Sequence, residues 1–374
     1  MSHSLSKEEL SRYSRHISLQ EVGLAGQEKI KAASVLVIGA GGLGCPALQY
    51  LTAAGVGRIG IIDFDKVDVS NLQRQILYTT DDIGKYKSRA AYEHLANNNP
   101  FVTFYTYSES LTKENVFSIF ELYDIIVDGS DNFSTRYLVN DACVILNKTL
   151  VFGSIFKFDG QVAVFNYTDA QGKRGPTYRC LYPEPPANGE MPSCNEIGVL
   201  GVLPGIIGTL QANEVLKLIL GIGHPLSGKL FTLDALTMQT QIFDIKANPD
   251  NFDLQELGDY DFSCETPALK EVITVLELKA LLDEKADFLL LDVRESFEYD
   301  ICHIEGSLLM PLSTVPQHLN DLPKDKKMII LCHLGIRSAS AVNFLQANGF
   351  VKVSNLLGGI HAWSLEVDDS LAVY

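Results

Sequence analysis

The stretch VLVIGAGGLG, residues 35–44, decides the fold of the first part of the chain. An apolar run ends in Gly39, Gly41 and Gly44, which follow the pattern G-x-G-x-x-G, and the helical pattern CPALQYLTAAG comes next. In such a turn the glycines let the backbone approach a phosphate, and the following helix offers unpaired N–H groups. Asp63 ends the next predicted strand, 19 residues after Gly44, where a carboxylate can accept hydrogen bonds from ribose hydroxyls. At this point NAD, FAD and ATP all fit.

Strand-like apolar runs alternate with helical patterns up to about residue 245, which predicts an α/β fold with a mainly parallel sheet. The polar, acidic segment 246–269 interrupts this pattern, and we interpret it as an interdomain linker. A second α/β pattern follows and is long enough for one small domain. We therefore expect a Rossmann-like domain at 1–245, a linker at 246–269 and a small α/β domain at 270–374.

The composition, with 46% hydrophobic and 20% charged residues, is typical of a globular protein. The net charge is −16, and from residue 247 onward 21 acidic residues accompany only 9 basic ones, which argues against direct nucleic-acid binding. The longest apolar stretch, 197–221, is interrupted by polar residues, so we expect a buried helix and no membrane span. Seven cysteines and a polar N-terminus without an apolar signal-peptide core favour free thiols and a cytoplasmic protein.

Polar residues downstream of the glycine loop favour a triphosphate over a dinucleotide. Arginine and lysine neutralise phosphate oxygens, and aspartate is a ligand for a hard cation such as Mg²⁺. The stretches DVSNLQRQ, GKYKSRA and DGSDN supply such groups, and the last of them follows another predicted strand. The candidates are Ser70, Asn71, Arg74, Lys87, Asp131 and Asn132. An NAD- or FAD-dependent oxidoreductase would leave these charges unexplained.

With RYSRHI at 12–17 and GVLPGIIGTLQANEVLK at 201–217, these stretches resemble the MoeB/ThiF family of adenylyltransferases, relatives of ubiquitin-activating enzymes, over nearly all of 10–245. In that family, ATP adenylates the C-terminal glycine carboxylate of a ubiquitin-like sulfur carrier of the MoaD/ThiS type. The resemblance implies that Gly42, together with the glycines and polar residues named above, contacts ATP or its Mg²⁺. It also implies that Asp63 holds the ribose and that Asp131 positions the metal.

Three further roles come from the same resemblance. Arg74 and Lys87 would stabilise the phosphates during attack on the α-phosphorus. Arg15 is expected to reach the triphosphate from the other subunit, which implies a homodimer. The acyl-accepting cysteine of the family would be Cys194, in EPPANGEMPSCNEIGVLG just before the apolar helix, where a helix N-terminus favours a thiolate.

The second domain contains IILCHLGIRSASAVNFLQ at 329–346, in which a predicted strand ends at Cys332 and a short loop leads to a helix starting near Ser338. Backbone N–H groups of such a loop can stabilise an anionic thiolate or persulfide. Together with DVRESFEYDICHIEGSLLMPLS upstream, this resembles a rhodanese (sulfurtransferase) domain over about 270–366. Cys332 would carry the sulfur, and Arg337 would stand at the junction of loop and helix. Four residues separate the two, fewer than in the related cysteine phosphatases, which favours sulfur as the cargo.

Other residues of the chain qualify these resemblances. Asp292, Arg294 and His303 match fold-supporting positions of the rhodanese family. Many MoeB/ThiF relatives bind zinc with two C-x-x-C pairs, but TYRCLYPE keeps Cys180 and has Thr177 at the first position, and NPDNFDL has no cysteine. One ligand cannot make a tetrahedral site, so we predict no structural zinc and a buried thiol at Cys180.

The leading hypothesis is adenylation of the carrier glycine followed by sulfur transfer from a persulfide on Cys332, giving the carrier thiocarboxylate. The alternative is an adenylyltransferase whose sulfur is supplied by another protein; a non-catalytic carrier-binding scaffold fits the intact phosphate-binding set less well. A cysteine desulfurase or thiosulfate could load Cys332. The sequence leaves open whether the carrier serves molybdopterin, thiamin, cysteine or thiolated-tRNA synthesis.

Overall fold

The computed structural model describes residues 4–185, 198–260 and 271–374. These residues form two compact units, the first made of 4–185 and 198–260 and the second of 271–374. Cys194, the predicted acyl acceptor, lies outside the described residues.

The first unit is built on an eight-stranded sheet with the order β3-β2-β1-β4-β5-β6-β7-β8. Strands β1 to β5 run parallel to one another, whereas β6, β7 and β8 are added antiparallel. The α/β prediction with a mainly parallel sheet is confirmed. The strands are β1 (Ser34–Ile38), β2 (Arg58–Ile62), β3 (Thr103–Tyr107), β4 (Ile125–Asp128), β5 (Thr149–Phe156), β6 (Asp159–Phe165), β7 (Lys229–Asp234) and β8 (Gln239–Asp244).

Apolar residues of β1 are fully buried because helices cover both faces of the sheet. The longest of these helices, α9, corresponds to the buried helix predicted from 197–221. No helix in the described part of the chain has the length and apolarity that crossing a membrane would need. The helices of this unit are α1 (Lys7–Arg12), α2 (Ser14–Ile17), α3 (Gly23–Ala32), α4 (Gly44–Ala54), α5 (Lys87–Asn98), α6 (Val116–Phe120), α7 (Phe133–Ile145), α8 (Tyr178–Leu181) and α9 (Val202–Leu220).

The sheet order brings three predicted segments to one edge. Strand β1 lies between β2 and β4, and all three are parallel, so their carboxyl ends meet at the same side of the sheet. The glycine loop follows β1, Asp63 follows β2 and the DGSDN segment begins at the end of β4. Ligands of open α/β sheets bind in the crevice at such a point.

The second unit has a five-stranded parallel sheet with the order β11-β10-β12-β13-β9. Helices bury the apolar residues of the central strands β12 and β13 on both faces, whereas Val272 and Leu308 of the edge strands are exposed. Its strands are β9 (Val272–Ile273), β10 (Phe288–Asp292), β11 (Leu308–Leu309), β12 (Lys327–Leu331) and β13 (Val353–Leu356), and its helices are α10 (Val275–Asp283), α11 (Ser296–Ile301), α12 (Ile336–Ala347) and α13 (Gly359–Glu366).

The described part of the segment expected as a linker, 246–260, packs on the first unit. The buried Tyr260 donates a hydrogen bond from its hydroxyl to Oδ2 of Asp141 on α7, at 2.7 Å. Leu257 packs against the same apolar cluster. These fifteen residues are therefore part of the first unit's packing, because Tyr260 supplies both apolar area and a partner for a buried carboxylate.

Candidate functional sites

The glycine loop after β1 leaves no room for side chains at two of its positions. Gly39 has φ +82°, and a Cβ at this residue would lie 2.9 Å from the carbonyl oxygen of Gly129. A Cβ on Gly44 would lie 1.9 Å from the carbonyl oxygen of Gly39. The loop therefore turns within its own backbone and starts α4 at Gly44, as the glycine pattern predicts.

Asp63 fastens this loop to the end of β2. Its Oδ2 accepts a hydrogen bond from the Ala40 N–H at 2.8 Å, and its Oδ1 accepts from the Asp65 N–H at 2.8 Å. Burial raises the pKa of the Asp63 carboxyl above its ordinary value, while the positive charge of Lys87 opposes that rise. The structure thus gives Asp63 a loop-holding role, and its contact with a ribose stays a prediction.

Tyr78 was not among the sequence candidates, yet it connects two parts of the site. Its buried hydroxyl lies 2.7 Å from the carbonyl oxygen of Ala40 and 3.2 Å from that of Lys87. The thiol of Cys45 also contacts the Ala40 oxygen, at 3.3 Å, and burial raises the pKa of this thiol to about 12. Cys45 is therefore a neutral packing group behind the loop, and Tyr78 fixes the loop relative to the start of α5.

Of the predicted group, Ser70 and Asn71 lie on a short 3-10 turn, Val69–Asn71, and Arg74 follows this turn. Ser70 and Asn71 are tied to Asp68 within this turn. The Arg74 guanidinium donates to the Ser70 carbonyl oxygen at 3.1 Å. At Gly42, a Cβ would lie 3.0 Å from Pro204 of α9 and 3.8 Å from Cδ of Arg74, so the absent side chain lets these elements approach each other.

Lys87 is the first residue of α5, and its side chain is nearly buried. Its ammonium forms a 2.9 Å ion pair with Oδ2 of Asp65, whose side chain is half exposed. The sequence reasoning missed Asp65, although its position two residues after Asp63 was a usable signal. The pair holds Lys87 near the carboxyl end of β2, which Asp63 and Asp65 follow.

The DGSDN segment places Asp131 on the surface, where its carboxylate is exposed. Asn132 caps α7, because its Oδ1 accepts from the Thr135 N–H at 2.9 Å. Buried behind them, Asp128 accepts from the Ser130 N–H, and Arg136 donates to the Ser130 carbonyl oxygen at 3.1 Å. Burial raises the pKa of Asp128, and Arg136 counteracts this.

Arg15 lies exposed on α2. Its neighbour Tyr13 is buried, accepts a hydrogen bond from Asn99 and packs closely on Gly55. RYSRHI is therefore anchored by the tyrosine and presents Arg15 outward, and the role of this arginine across a subunit interface stays a prediction.

In the second unit, Cys332 directly follows β12 and is 1% exposed. Its sulfur accepts hydrogen bonds from the Gly335 N–H at 3.1 Å and from the Ser338 hydroxyl at 3.2 Å. Gly335, at φ +94°, is the N-cap of α12, so the helix starts at Ile336, two residues before the predicted position. Donors aimed at one sulfur stabilise a thiolate or the anionic form of a persulfide.

The N-terminus of α13 supports the same loop. The N–H groups of Ile360 and His361 donate to the carbonyl oxygens of Cys332 and His333. A Cβ on Gly359 would lie 2.3 Å from the Cys332 oxygen, so this close approach requires glycine.

Arg337 closes the loop through a partner that the sequence reasoning missed. Its two terminal nitrogens donate to both carboxylate oxygens of Glu298 on α11, each at 2.7 Å. Burial acts to raise the pKa of Glu298, but hydrogen bonds from Arg337 and the Glu295 N–H hold it below its ordinary value. Glu298 lies 39 residues before Arg337, so nothing local in the sequence announced the pair.

The residues predicted to support the fold of this unit make structural contacts. Asp292 and Arg294 are fully buried and form a 2.6 Å ion pair, and Arg294 also donates to the Cys302 carbonyl oxygen. The His303 ring stacks on Tyr299 with 4.2 Å between centroids.

Cys180 accepts hydrogen bonds where the family's zinc ligands would converge. Its sulfur lies 3.3 Å from the Asn248 N–H nitrogen, 3.4 Å from Nδ2 of Asn251 and 3.4 Å from both the backbone nitrogen and the hydroxyl of Thr177. Burial opposes ionisation, but these contacts, led by Asn248, lower the pKa of the Cys180 thiol. A hydroxyl and two amides do not form a zinc site with one thiolate. The thiol is half-buried rather than buried as predicted, and it braces this end of the unit by hydrogen bonds.

Comparison with known proteins defines the class to which these two sites belong. Residues 13–254 match the ThiF family and residues 274–366 match the rhodanese-like domain. The chain belongs to the ThiF family and carries a rhodanese-like domain after it, which confirms both resemblances.

Similar proteins include the probable adenylyltransferase/sulfurtransferase MoeZ of Mycobacterium tuberculosis, 43% identical over 99% of this chain and 97% of that protein. The sulfur carrier protein adenylyltransferase of Thermus thermophilus is 53% identical over 69% of this chain and 97% of its own length. The adenylyltransferase and sulfurtransferase MOCS3 of Culex quinquefasciatus is 39% identical over 99% of this chain and 90% of that protein. An E. coli MccB structure with ATP shares the fold, with a TM-score of 0.55 at 22% identity over 69% of this chain and 77% of that one. The chain is thus an enzyme of the combined adenylyl-transfer and sulfur-transfer class.

Proposed function

We propose that this enzyme adenylates the C-terminal glycine of a ubiquitin-like sulfur carrier and then converts it to a thiocarboxylate with sulfur carried on Cys332. The observation that carries the proposal is the presence, in one chain, of a glycine loop flanked by Asp63, Arg74 and Lys87 and of a cysteine whose sulfur accepts two hydrogen bonds. The ThiF relatives named above support the carrier as the substrate.

In the first step, a carboxylate oxygen of the carrier attacks the α-phosphorus of ATP, a new O–P bond forms, and pyrophosphate leaves with the bonding electrons. Arg74 and Lys87 would stabilise negative charge on the phosphates, and the N–H groups of the glycine loop would bind them. Asp131 and Asn132 lie exposed beyond β4, where Asp131 would hold Mg²⁺, whose role is to neutralise phosphate charge.

In the second step, the terminal sulfur of a Cys332 persulfide attacks the acyl carbon, and AMP leaves. This gives a carrier acyl-disulfide on Cys332. A second thiolate that attacks the Cys332 sulfur then releases the thiocarboxylate and leaves a disulfide, which a cellular thiol reduces. We propose Cys194 as this second thiol, or as an acyl acceptor before sulfur transfer.

The remaining assignments are part of the same proposal. Arg15 would complete the nucleotide site of the partner subunit in a homodimer. A cysteine desulfurase or thiosulfate would load Cys332. The free thiols among the described residues suit a reducing compartment, so we propose the cytoplasm.

Intact-mass spectrometry tests the proposal. A carrier ending in Gly-Gly is incubated with the full chain, Mg-ATP and thiosulfate, and wild type is compared with Cys332→Ala and Cys194→Ala. Cys143→Ala, which changes a buried cysteine of α7, is the matched control. We expect replacement of one oxygen by sulfur on the carrier with wild type and control, and pyrophosphate release without that mass gain with Cys332→Ala. The absence of pyrophosphate with every carrier tested would contradict adenylation.

The alternative, adenylation with sulfur supplied by another protein, predicts a different result. Cys332→Ala would then leave the mass gain unchanged when a separate sulfurtransferase is added. The hydrogen-bonded sulfur of Cys332 favours the first reading.

A further inference from the structure

Tyr374 contacts the sulfur-transfer site from a distant part of the sequence. Its hydroxyl accepts a 2.6 Å hydrogen bond from Nη1 of Arg294 and donates to Oε1 of Glu298 at 3.2 Å. Its ring stacks on the His333 imidazole, with centroids 4.5 Å apart and an interplanar angle of 6°. The Tyr374 side chain, which is 37% exposed, is therefore held by three groups at once.

The segment that carries Tyr374 is itself attached to the unit. Leu371 packs on the apolar cluster beneath α10 and α13, and the Ala372 carbonyl oxygen accepts from the Cys302 thiol at 3.2 Å. These contacts hold the segment that carries Tyr374 against the unit.

The contacts of Tyr374 reach both ends of the loop 332–337. His333 directly follows Cys332, and its carbonyl oxygen is held by the His361 N–H. At the other end, Glu298 binds Arg337 with both carboxylate oxygens. Between these ends lies Gly335, whose N–H donates to the Cys332 sulfur.

The protonation states suit this arrangement. Burial raises the pKa of Tyr374 to about 12, so its hydroxyl keeps the proton that it donates to Glu298 at neutral pH. Burial, followed by the neighbouring His361, lowers the pKa of His333, so a neutral imidazole lies against the tyrosine ring.

We propose that Tyr374 is a positioning residue of the sulfur-transfer site, which fixes the loop 332–337 by stacking on His333 and by orienting Glu298 toward Arg337. The inference rests on the proposed sulfur-transfer function. Its consequence is that the N–H of Gly335 stays aimed at the sulfur while the persulfide forms and reacts.

The half-reaction that depends on this geometry is the loading of Cys332. With thiosulfate as the probe, the thiolate attacks the outer sulfur, the S–S bond of thiosulfate breaks, and sulfite leaves with the electron pair. Cyanide then takes the terminal sulfur as thiocyanate and regenerates the thiolate. Loss of alignment of the loop would slow the first step, because small misplacements of a reacting group cost large factors in rate.

The experiment measures kcat and KM for thiocyanate formation from thiosulfate and cyanide in the full chain. Tyr374→Phe keeps the ring on His333 and removes the hydroxyl; Tyr374→Ala removes both. We expect kcat/KM to fall about 3- to 5-fold for the first variant and about 10-fold or more for the second. Carrier-dependent exchange of labelled pyrophosphate into ATP, which reports the first step in the other unit, is expected to stay at the wild-type level.

A double-mutant cycle separates positioning from a general effect on stability. If Tyr374 acts through Glu298, Tyr374→Phe has little further effect in a Glu298→Gln background. Full additivity of the two changes, or a Tyr374→Phe variant as active as wild type, would overturn the proposal even if Tyr374→Ala unfolds. If the wild type forms no more thiocyanate than Cys332→Ala does, the result would instead contradict the sulfur-transfer function itself.

Discussion

The two sites of this chain differ in how much of their chemistry is held by the fold itself. At the nucleotide edge, Arg74 binds a backbone oxygen on a surface turn, Lys87 pairs with a half-exposed carboxylate and Asp131 is exposed. At the sulfur site, Cys332 is 1% exposed, and Arg337 is bound bidentately by a buried glutamate.

This difference matches the cargo that each site is proposed to hold. A triphosphate is large, highly charged and exchanged in every cycle. The protein side chains that bind it therefore have to be accessible. A single sulfur atom needs a small preorganised environment, which backbone and side-chain donors provide at low cost during reaction. Substitution of a side chain that is not buried, such as Arg74 or Asp131 at the nucleotide edge, should therefore affect activity alone, whereas substitution of Arg337 at the sulfur site should affect activity together with stability.

The largest expected effect is that of Gly44→Ala. The added Cβ would lie 1.9 Å from the Gly39 carbonyl oxygen, so the loop has to move away from the geometry that we propose binds phosphate. We expect carrier-dependent AMP formation to fall about 100-fold or more, comparable to the loss of an oxyanion-binding donor. Thiocyanate formation in the second unit should be unaffected.

Gly205→Ala is the matched control, since a Cβ at this position of α9 meets nothing within 4 Å. Equal AMP formation by Gly44→Ala and this control would refute the conclusion that the loop has no room for a side chain at Gly44.

The second expected effect compares one arginine from each site. Arg337→Ala leaves Glu298 buried without its bidentate partner, which costs about 3 kcal/mol in the unfolding of the second unit and at least about 10-fold in thiocyanate formation. Arg74→Ala should lower AMP formation by a similar or larger factor. The free energy of unfolding should change by less than about 1 kcal/mol in that variant, because Arg74 binds a surface turn.

Thermal unfolding and the two activity assays check this pair. The comparison between the sites fails if both variants lose stability equally. Arg337→Lys restores charge but not the two-pronged contact, so its activity should lie between those of Arg337→Ala and wild type.

Local sequence patterns predicted the strands, the glycine turn and the Cys332 loop, because each depends on residues within a short window. The partners of these groups were out of reach. Glu298 and Tyr374 meet the Cys332 loop only through tertiary packing. Tyr78 could not be predicted because its role depends on a hydroxyl that lies between two carbonyl oxygens from different parts of the chain. The assignment of individual site residues to ATP, Mg²⁺ and the carrier stays a prediction.

A third, smaller effect concerns pH. Hydrogen bonds hold the pKa of Glu298 in the folded chain below its unfolded value of about 4.3. Its folded-state pKa is lowered, so the stabilisation it gives is present above that unfolded pKa and is lost as pH falls through the folded one.

The unfolding midpoint of the second unit should therefore fall more steeply with acid in wild type than in Glu298→Gln. Differential scanning calorimetry between neutral pH and pH 3 measures this slope. Parallel slopes for the two proteins would show that the pair with Arg337 contributes nothing that titrates.

The smallest expected effect tests the cluster around Cys180 as a metal-free brace. Cys180→Ala removes an acceptor shared by Thr177, Asn248 and Asn251, which should lower the free energy of unfolding of the first unit by about 1 kcal/mol and its midpoint by about 3 °C. A zinc chelator should leave the wild-type midpoint unchanged, because these groups hold the sulfur by hydrogen bonds. A midpoint that falls with the chelator and recovers with zinc would instead assign a metal to this position.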